Sequence, residues 1–548
     1  MLITDWGDGS RFFHVWQQAN ASYADPSHRI TTHVVALCEG APTWSQLNLE
    51  LRSHLSALEN HWWGLSEGFH RFDLGSVQLT LCVGEKLAQL KALNAVFDEV
   101  WQTGAADKWW FKALAQKSRL GTVLHLEDDM PVELLRQAGF VHQAEQNTSH
   151  TWTYQPSWQA KQRRPAPVRV GLEPEPVLVI GAGLAGSSVA AALARRGHTV
   201  TVLDGAEHAA TGASGLPAGL MAPLISKDDN PRSRLIRAGL RLSLQAITHL
   251  KDGYAMSGLL EKNAAVSMPE LEGLEDWSVK QGTDVWHPHA AWVSPAALVQ
   301  HWLATPGVTF QGNSAVGRLT QQDGQWFALD AQGQTLAQAP RVVLAHALNS
   351  LSLIKSTLAK ATGSAPASNI PALPEGIAHG MRGLVVMGEQ PTVAKVWPTH
   401  PINGNGGFIP NLPTPTGTAW AFGATYESSN PDPLNVDQHI EANQAKLAAL
   451  LPELAHLIPD SQSMGTLQHW LGERCVTTDR FPILGPLDEA QTLWLCTGLG
   501  SRGLSFAALC GEQMAALWHQ EPAPISTDLA KFVRADRFFN TKQTYMHD

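Results

Sequence analysis

Apolar positions along this chain fall into two kinds of run, short continuous stretches and longer stretches spaced for a helix. Residues Val177 to Asp204 read VLVIGAGLAGSSVAAALARRGHTVTVLD. The continuous run Val177–Ile180 predicts a buried strand, alanine-rich Val189–Arg196 a helix, and Val200–Leu203 a second strand. Earlier in the chain Phe12–Ala19 has a helical pattern, while Thr32–Glu39 (THVVALCE) and Val77–Glu85 (VQLTLCVGE) read as strands ending in an acid. Gly121–Leu126 is a further apolar segment ahead of Leu134–Phe140. Between Tyr154 and Pro176 neither period survives, and proline and charge dominate. That stretch reads as a linker, 154–175, between an N-terminal domain, 1–153, and a C-terminal domain, 176–548. Strands alternating with helices predict an α/β fold in both parts.

The turn after Val177–Ile180 carries glycines 181, 183 and 186 at G-x-G-x-x-G spacing. Gly181 permits a tight turn, Gly183 leaves room for a pyrophosphate against the backbone, and Gly186 lets the helix pack on the strand. The helix start offers N–H groups without partners and a positive dipole end. Asp204 closes the second strand, where a carboxylate can accept hydrogen bonds from ribose hydroxyls. Far downstream a second glycine-rich turn, Trp494–Leu504 (WLCTGLGSRGL), leads into a small-residue helix, Ser505–Trp518. A chain that leaves a dinucleotide fold and returns with such a turn has the layout of a two-domain flavoenzyme.

Composition narrows the reading further. At 548 residues the chain is too long for one core. With 44% hydrophobic and 16% charged residues it has an ordinary globular balance. No apolar run reaches membrane-spanning length and no basic-then-apolar leader pattern is present, so a cytoplasmic location without membrane contact is the expectation. Cys38, Cys82, Cys475, Cys496 and Cys510 lack C-x-x-C or metal-ligand spacing, which predicts buried apolar residues and no metal site. The net charge of −10 leaves RNA contact to a local basic surface, and Lys161, Arg163, Arg164 and Arg169 form one candidate.

Several segments of the C-terminal domain together carry a resemblance. They are Val179–Gly186 (VIGAGLAG), Thr211–Lys227 with its TGASG and AGLMAPLISK, Ala291–Leu298 (AWVSPAAL) and Val342–Ala347 (VVLAHA), followed by Ala421–Tyr426 (AFGATY), Gly472–Gly485 (GERCVTTDRFPILG) and Leu499–Leu504 (LGSRGL). With these the chain resembles the glycine oxidase and D-amino acid oxidase family of FAD enzymes, and within it the bacterial bifunctional enzymes that modify the tRNA wobble uridine. The resemblance implies an α/β FAD-binding domain with a mixed-sheet substrate domain. Gly181, Gly183, Gly186, Asp204, Ser214, Gly500, Gly503 and Leu504 are the implied FAD contacts. The implied reaction is oxidation of a secondary amine bearing a carboxymethyl group, followed by hydrolysis to glyoxylate and the aminomethyl nucleoside. A substrate carboxylate calls for a planar two-donor cation, for which Arg474 is the first candidate and Arg502 the second. An oxidase of free glycine or sarcosine is the alternative, against which the N-terminal domain argues. One departure is His346-Ala347, where the family usually places a glycine.

The N-terminal order, a Gly-rich turn within Asp5–Phe12 (DWGDGSRF) and strand-ending Glu39 and Glu85, resembles the Rossmann-like methyltransferase domain of the same bifunctional enzymes. The implied cofactor is S-adenosylmethionine, and the departures speak against its use. Asp5 and Asp8 place carboxylates where the cofactor carries its own. DEVWQTGA at Asp98–Ala105 stands where an Asp-Gly-Phe-Ala-Pro segment belongs, and the first sheet strand is expected to be missing. The reading is of a truncated, degenerate domain without methyl transfer.

Overall fold

The computed structural model describes residues 1–22, 32–142, 150–157, 173–268, 273–359, 370, 373–390, 397–415, 417–428, 433–457 and 467–539. The basic cluster at Lys161, Arg163, Arg164 and Arg169 lies outside the described residues. The chain forms two compact units. The first comprises residues 1–174 together with 195–197 and 512–531, two segments that the linear reading gives to the C-terminal domain.

The first unit is built on an eight-stranded sheet. Its strands are β1 (Leu2–Ile3), β2 (Thr32–Cys38), β3 (Gly68–Leu74), β4 (Val77–Val83), β5 (Phe97–Gln102), β6 (Ser118–Leu126), β7 (Phe140–His142) and β8 (Thr151–Tyr154), in the order β3-β4-β2-β1-β5-β6-β8-β7. Strands β4, β2, β1, β5 and β6 are mutually parallel, while β8 runs antiparallel to β6 and β7. The antiparallel edge strand β3 aside, this is a doubly wound sheet whose order reverses between β1 and β5. The strand expected to be missing is therefore present, as two residues. Leu2 pairs with Val35 and Val100, and Ile3 with Ala36 and Trp101. A pair of apolar residues is too short to register as a periodic run, which is why the pattern failed to show it. Both faces of the sheet are covered, so Val34, Val35, Ala36 and Leu37 are all fully buried, as a parallel strand requires.

Strands β2, β3 and β4 also hold a buried charge cluster with the segment 512–531. The Arg71 guanidinium donates to Thr80 Oγ1 and Gln78 Oε1, each at 3.0 Å, and Gln78 donates to Glu512 Oε2 at 3.0 Å. Arg196 bridges Glu512 at 3.1 Å and Glu521 at 2.6 Å, and Arg195 forks onto Asp73 at 2.5 and 2.7 Å. His33 lies 3.1 Å from Glu521. Burial works to raise the pKa of Glu512, but Arg196, Arg195 and Arg71 outweigh it and bring the carboxyl down to about 2. A carboxylate depressed in the folded state stabilises above its unfolded pKa, about 4.3. That stability is lost as pH falls from there toward 2.

The second unit, 175–194 with 198–511 and 532–548, has two main sheets. In the first, Val308–Gln311, β10 (Thr199–Leu203), β9 (Pro176–Ile180), Arg341–Leu344 and Leu493–Thr497 are parallel neighbours, and Ile483–Pro486 closes the edge antiparallel. The helix after β9, Leu184–Ala194, starts five residues earlier than its alanine-rich stretch suggests and is buried along its whole length. The other sheet is mixed and nine-stranded, and carries Leu259–Glu261, Ile402–Gly404, Ala378–Glu389 and Gln468–Thr477. This is the FAD-binding and substrate-domain layout that the two glycine turns imply.

The charge cluster yields a stability prediction. Glu512→Gln removes one carboxylate from among three buried arginines and is expected to cost about 3 kcal/mol at neutral pH. Thermal unfolding followed from pH 7 to pH 2 should show the variant losing less on acidification than the parent, and equal acid sensitivity would exclude Glu512 as the titrating group.

Candidate active site

All of the sequence-predicted site residues except Gly186 line one cavity of about 1120 Å³ in the second unit. The wall formed by β9 and its helix follows from close backbone packing. Gly181 has φ +109°, and a Cβ there would stand 2.7 Å from the Ala345 carbonyl oxygen. A Cβ on Gly186 would stand 1.8 Å from the Gly181 carbonyl oxygen, which explains its place behind the cavity wall. Gly183 faces the cavity with a single near neighbour, Ser214 Oγ, at 3.1 Å from its notional Cβ. Ser214 Oγ in turn accepts the Leu184 N–H at 3.0 Å and so fixes the helix start. Asp204 accepts from Ala182 N–H at 2.7 Å and Ala206 N–H at 2.9 Å, bracing the same turn from the end of β10.

The departure at His346-Ala347 has a local account. Ala347 adopts φ +57°, the left-handed conformation a glycine takes without strain. His346 lines the cavity, and burial pushes its pKa down to about 4 against the opposing charge of Asp204, so it stands neutral at physiological pH.

The opposite wall is the second glycine turn. Gly500 has φ +59°, residues Gly500–Arg502 form a single 3-10 turn, and the helix Gly503–His519 starts directly after it. Leu504 packs against Gly219, whose notional Cβ would lie 2.6 Å from Leu504 Cδ1, and its carbonyl accepts from Ser243 Oγ at 2.6 Å. Two helix N-termini therefore open onto one cavity. A glycine-floored cradle at one, a glycine-bearing turn at the other and a volume that takes a dinucleotide fit FAD.

Between the two walls lie the ionisable groups. Arg474 stands on Gln468–Thr477, paired in register with Met381 of Ala378–Glu389. Gly383 leaves space for it, since a Cβ there would approach Arg474 Nη2 to 2.9 Å. Its guanidinium carbon sits 4.8 Å from the Tyr426 ring centre, and Nη1 is buried with no hydrogen-bond partner. An orphaned buried donor on a planar fork is what an incoming carboxylate requires. Arg502 is anchored differently, donating Nη1 to the Ala222 carbonyl at 3.2 Å. Burial lowers its pKa, and Glu261 and Tyr426 oppose that.

Tyr426 and Glu261 were not singled out from the sequence. Tyr426 closes the AFGATY segment and was legible as part of a motif without a role. Glu261 stands at the end of a short strand with no local signature. Its Oε2 lies 3.0 Å from Nε2 of fully buried His287, whose Nδ1 is 2.7 Å from Ser278 Oγ, and Asn403 donates to its Oε1 at 3.3 Å. Burial raises Glu261, but His287, Arg502 and Asn403 outweigh it and hold the carboxyl below its ordinary range.

In the first unit three of the groups expected at a nucleotide crevice, Asp5, Asp8 and Glu85, are committed to the chain itself. Asp5 accepts from Gly7 N–H at 3.2 Å and pairs with Lys86 at 2.6 Å, and Asp8 accepts from Ser10 N–H at 3.0 Å. Both oxygens of Glu85 cap the helix Lys86–Ala92 through Leu87 and Ala88 N–H, so its strand-ending position reflects an N-cap. Glu39 stays exposed after β2. At the carboxyl end of β5, Gln102 donates to the carbonyls of Thr103 and Gly104 and accepts from Trp110 Nε1. Glu39 alone among them is left to meet a ribose, a poor fit to S-adenosylmethionine.

Among the described residues no group of three or more His, Cys, Asp or Glu is arranged to hold a metal, and no helix is long and apolar enough to cross a membrane. All five cysteines are buried and unpaired.

The fold and the cavity define an FAD-dependent oxidoreductase, and the family described as FAD dependent oxidoreductase matches residues 176–517. A glycine oxidase from Geobacillus kaustophilus shares the fold, with TM-score 0.50 and 19% identity over 66% of this chain and 98% of its own. The tRNA 5-methylaminomethyl-2-thiouridine biosynthesis bifunctional protein MnmC of Polaromonas naphthalenivorans (strain CJ2) is 37% identical over 96% of this chain and 88% of its own length. The protein of the same name from Albidiferax ferrireducens is 37% identical over 98% and 92%. The chain belongs to this family of bifunctional proteins, within the FAD-dependent oxidoreductases.

The cradle generates a test of cofactor placement. Gly183→Val puts a branched side chain into the cavity beside Ser214, and the purified variant is expected to be colourless with unchanged far-ultraviolet circular dichroism. Full flavin absorbance in that variant would place the pyrophosphate elsewhere.

Proposed function

We propose that this protein oxidatively removes the carboxymethyl group from 5-carboxymethylaminomethyl(-2-thio)uridine at the tRNA wobble position, giving the 5-aminomethyl form. The observation that carries the reading is the unpartnered Arg474 fork inside a cavity that also presents two helix N-termini, in a chain alike over nearly its full length to tRNA 5-methylaminomethyl-2-thiouridine biosynthesis proteins. A tRNA substrate supports a cytoplasmic location.

Gly181, Gly183, Gly186, Asp204 and Ser214 would hold the adenosine and pyrophosphate half of FAD, and Gly500, Gly503 and Leu504 the flavin side. When bound, FAD supplies the two-electron oxidation of the carbon between amine nitrogen and carboxylate, and hydrolysis of the product releases glyoxylate. Arg474 binds the carboxylate through two parallel donors, with Tyr426 against its guanidinium face fixing the fork's plane. Arg502, held by the Ala222 carbonyl, adds a second positive charge beside the flavin turn. Glu261, kept ionised by His287, faces these arginines and suits the substrate's amine while that is cationic. These groups position the substrate, and positioning supplies much of the rate in a reaction whose electron chemistry belongs to the cofactor.

Two outcomes test the reading. Arg474→Lys keeps the charge and loses the fork, so flavin content should hold while kcat/KM on carboxymethylaminomethyl-tRNA falls roughly thirtyfold to hundredfold. Nucleoside mass spectrometry of tRNA before and after incubation with the holoenzyme reads the product directly, and an unchanged rate removes Arg474 from the site. The first unit is expected not to transfer methyl groups, because Asp5, Asp8, Glu85 and Gln102 are spent within the chain. Labelled methyl from S-adenosylmethionine appearing in aminomethyl-tRNA would overturn that assignment.

A further inference from the structure

Four arginines line the active-site cavity, Arg232, Arg474, Arg480 and Arg502, and among the described residues none has an acidic ion-pair partner. A substrate carboxylate accounts for Arg474, with Arg502 behind it. Arg232 and Arg480 remain. They are 248 positions apart in sequence, yet Arg232 feels the charges of both Arg502 and Arg480.

Each of the two is presented by a fixed piece of backbone. Arg232 is the second residue of the helix Pro231–Ile247, whose start is set by Asn230 accepting the Ser233 N–H at 3.1 Å. Its Nε is buried without a hydrogen-bond partner. Arg480 is exposed at the cavity rim and holds φ +63°, a left-handed conformation that strains a non-glycine residue. The turn that imposes it is pinned on every side. Thr477 Oγ1 donates to the Phe481 carbonyl at 2.8 Å, Arg537 Nε donates to Asp479 at 2.8 Å, and Arg537 Nη2 donates to the Phe481 carbonyl at 3.0 Å. Like charges lining one cavity, one on a capped helix start and one on a strained, braced turn, call for an anion supplied from outside.

Resting on the reading above, we infer that Arg232 and Arg480 form a phosphate-binding subsite that grips the phosphodiesters flanking the modified nucleotide. A base inside an RNA chain cannot enter the cavity without bringing a phosphate on each side of its ribose. An amino acid or a free nucleoside brings neither. The pair therefore selects a polynucleotide over a small amine, which is the distinction between this chain's assigned substrate and that of a free amino acid oxidase.

The test uses FAD-loaded full-length protein, tRNA bearing 5-carboxymethylaminomethyluridine, and the same nucleoside free. In the double variant Arg232→Gln/Arg480→Gln the ratio of kcat/KM on tRNA to kcat/KM on nucleoside is expected to fall roughly tenfold or more. The slope of log Kd for tRNA against log salt should become shallower by about 1.4, since each single-strand phosphate contact contributes about 0.7. Arg480→Lys, which retains the charge, should recover most of that slope. Equal losses on both substrates, or an unaltered salt slope in a variant of normal flavin content, would overturn the subsite. Parent enzyme that binds tRNA with the full slope but oxidises neither substrate would overturn the reaction and leave the subsite standing.

Discussion

Three contacts where a backbone carbonyl occupies the space of a missing side chain hold this active site together. A Cβ on Gly186 would meet the Gly181 carbonyl at 1.8 Å, one on Gly239 the Ser505 carbonyl at 2.0 Å, and one on Gly511 the Ser188 carbonyl at 2.6 Å. Each brings an element closer than side-chain-mediated packing allows, since helix axes ordinarily stand about 8–10 Å apart. The helices Leu184–Ala194 and Gly503–His519 consequently begin at the same cavity. Their N-terminal dipole ends add positive potential to one cavity of a chain whose net charge is −10.

Arginine is used in two opposed ways. In the first unit buried Arg71 and Arg196 and half-buried Arg195 are matched by Asp73, Glu512 and Glu521, so their charges are settled on folding. Around the cavity Arg232, Arg474 and Arg480 have no such match among the described residues, and Arg502 has only the nearby charge of Glu261. Leaving charge uncompensated at a partly buried site is unfavourable, and it persists where a ligand completes the pairing. The contrast within one chain separates structural arginines from ligand-binding ones without reference to position in sequence.

What the sequence made legible was what is local. The strand, glycine turn, helix and acid from Val177 to Asp204 are encoded within 28 consecutive residues, and the structure reproduces them. Glu85 shows the limit of that kind of reading. An acid after a strand and before a helix has the same local pattern whether it binds a ribose or caps the helix, and only the two hydrogen bonds to Leu87 and Ala88 distinguish the cases. Long-range partners were beyond reach. Tyr426 meets Arg474 because strands distant in sequence pair in register across Ala378–Glu389, and Glu261 meets His287 through the antiparallel pairing of Leu259 with His287. Nothing near either residue announces its partner.

The N-terminal unit has a doubly wound sheet, in whose crevice Asp5, Asp8 and Glu85 bond within the chain. Its persistence has a structural reason independent of methyl transfer. His33, Arg71, Asp73 and Gln78 supply the hydrogen bonds and countercharges for Arg195, Arg196, Glu512 and Glu521. Without strands β2, β3 and β4, these four charged groups, two buried and two half-buried, would lose several of their partners. Two buried charge pairs stripped of surrounding donors cost several kcal/mol, comparable to the whole margin by which a domain is stable. A crevice can lose its ligand at no such cost, because its loops lie on the surface and its acids can turn to nearby N–H groups. The sheet is therefore under a packing constraint that does not reach its surface loops.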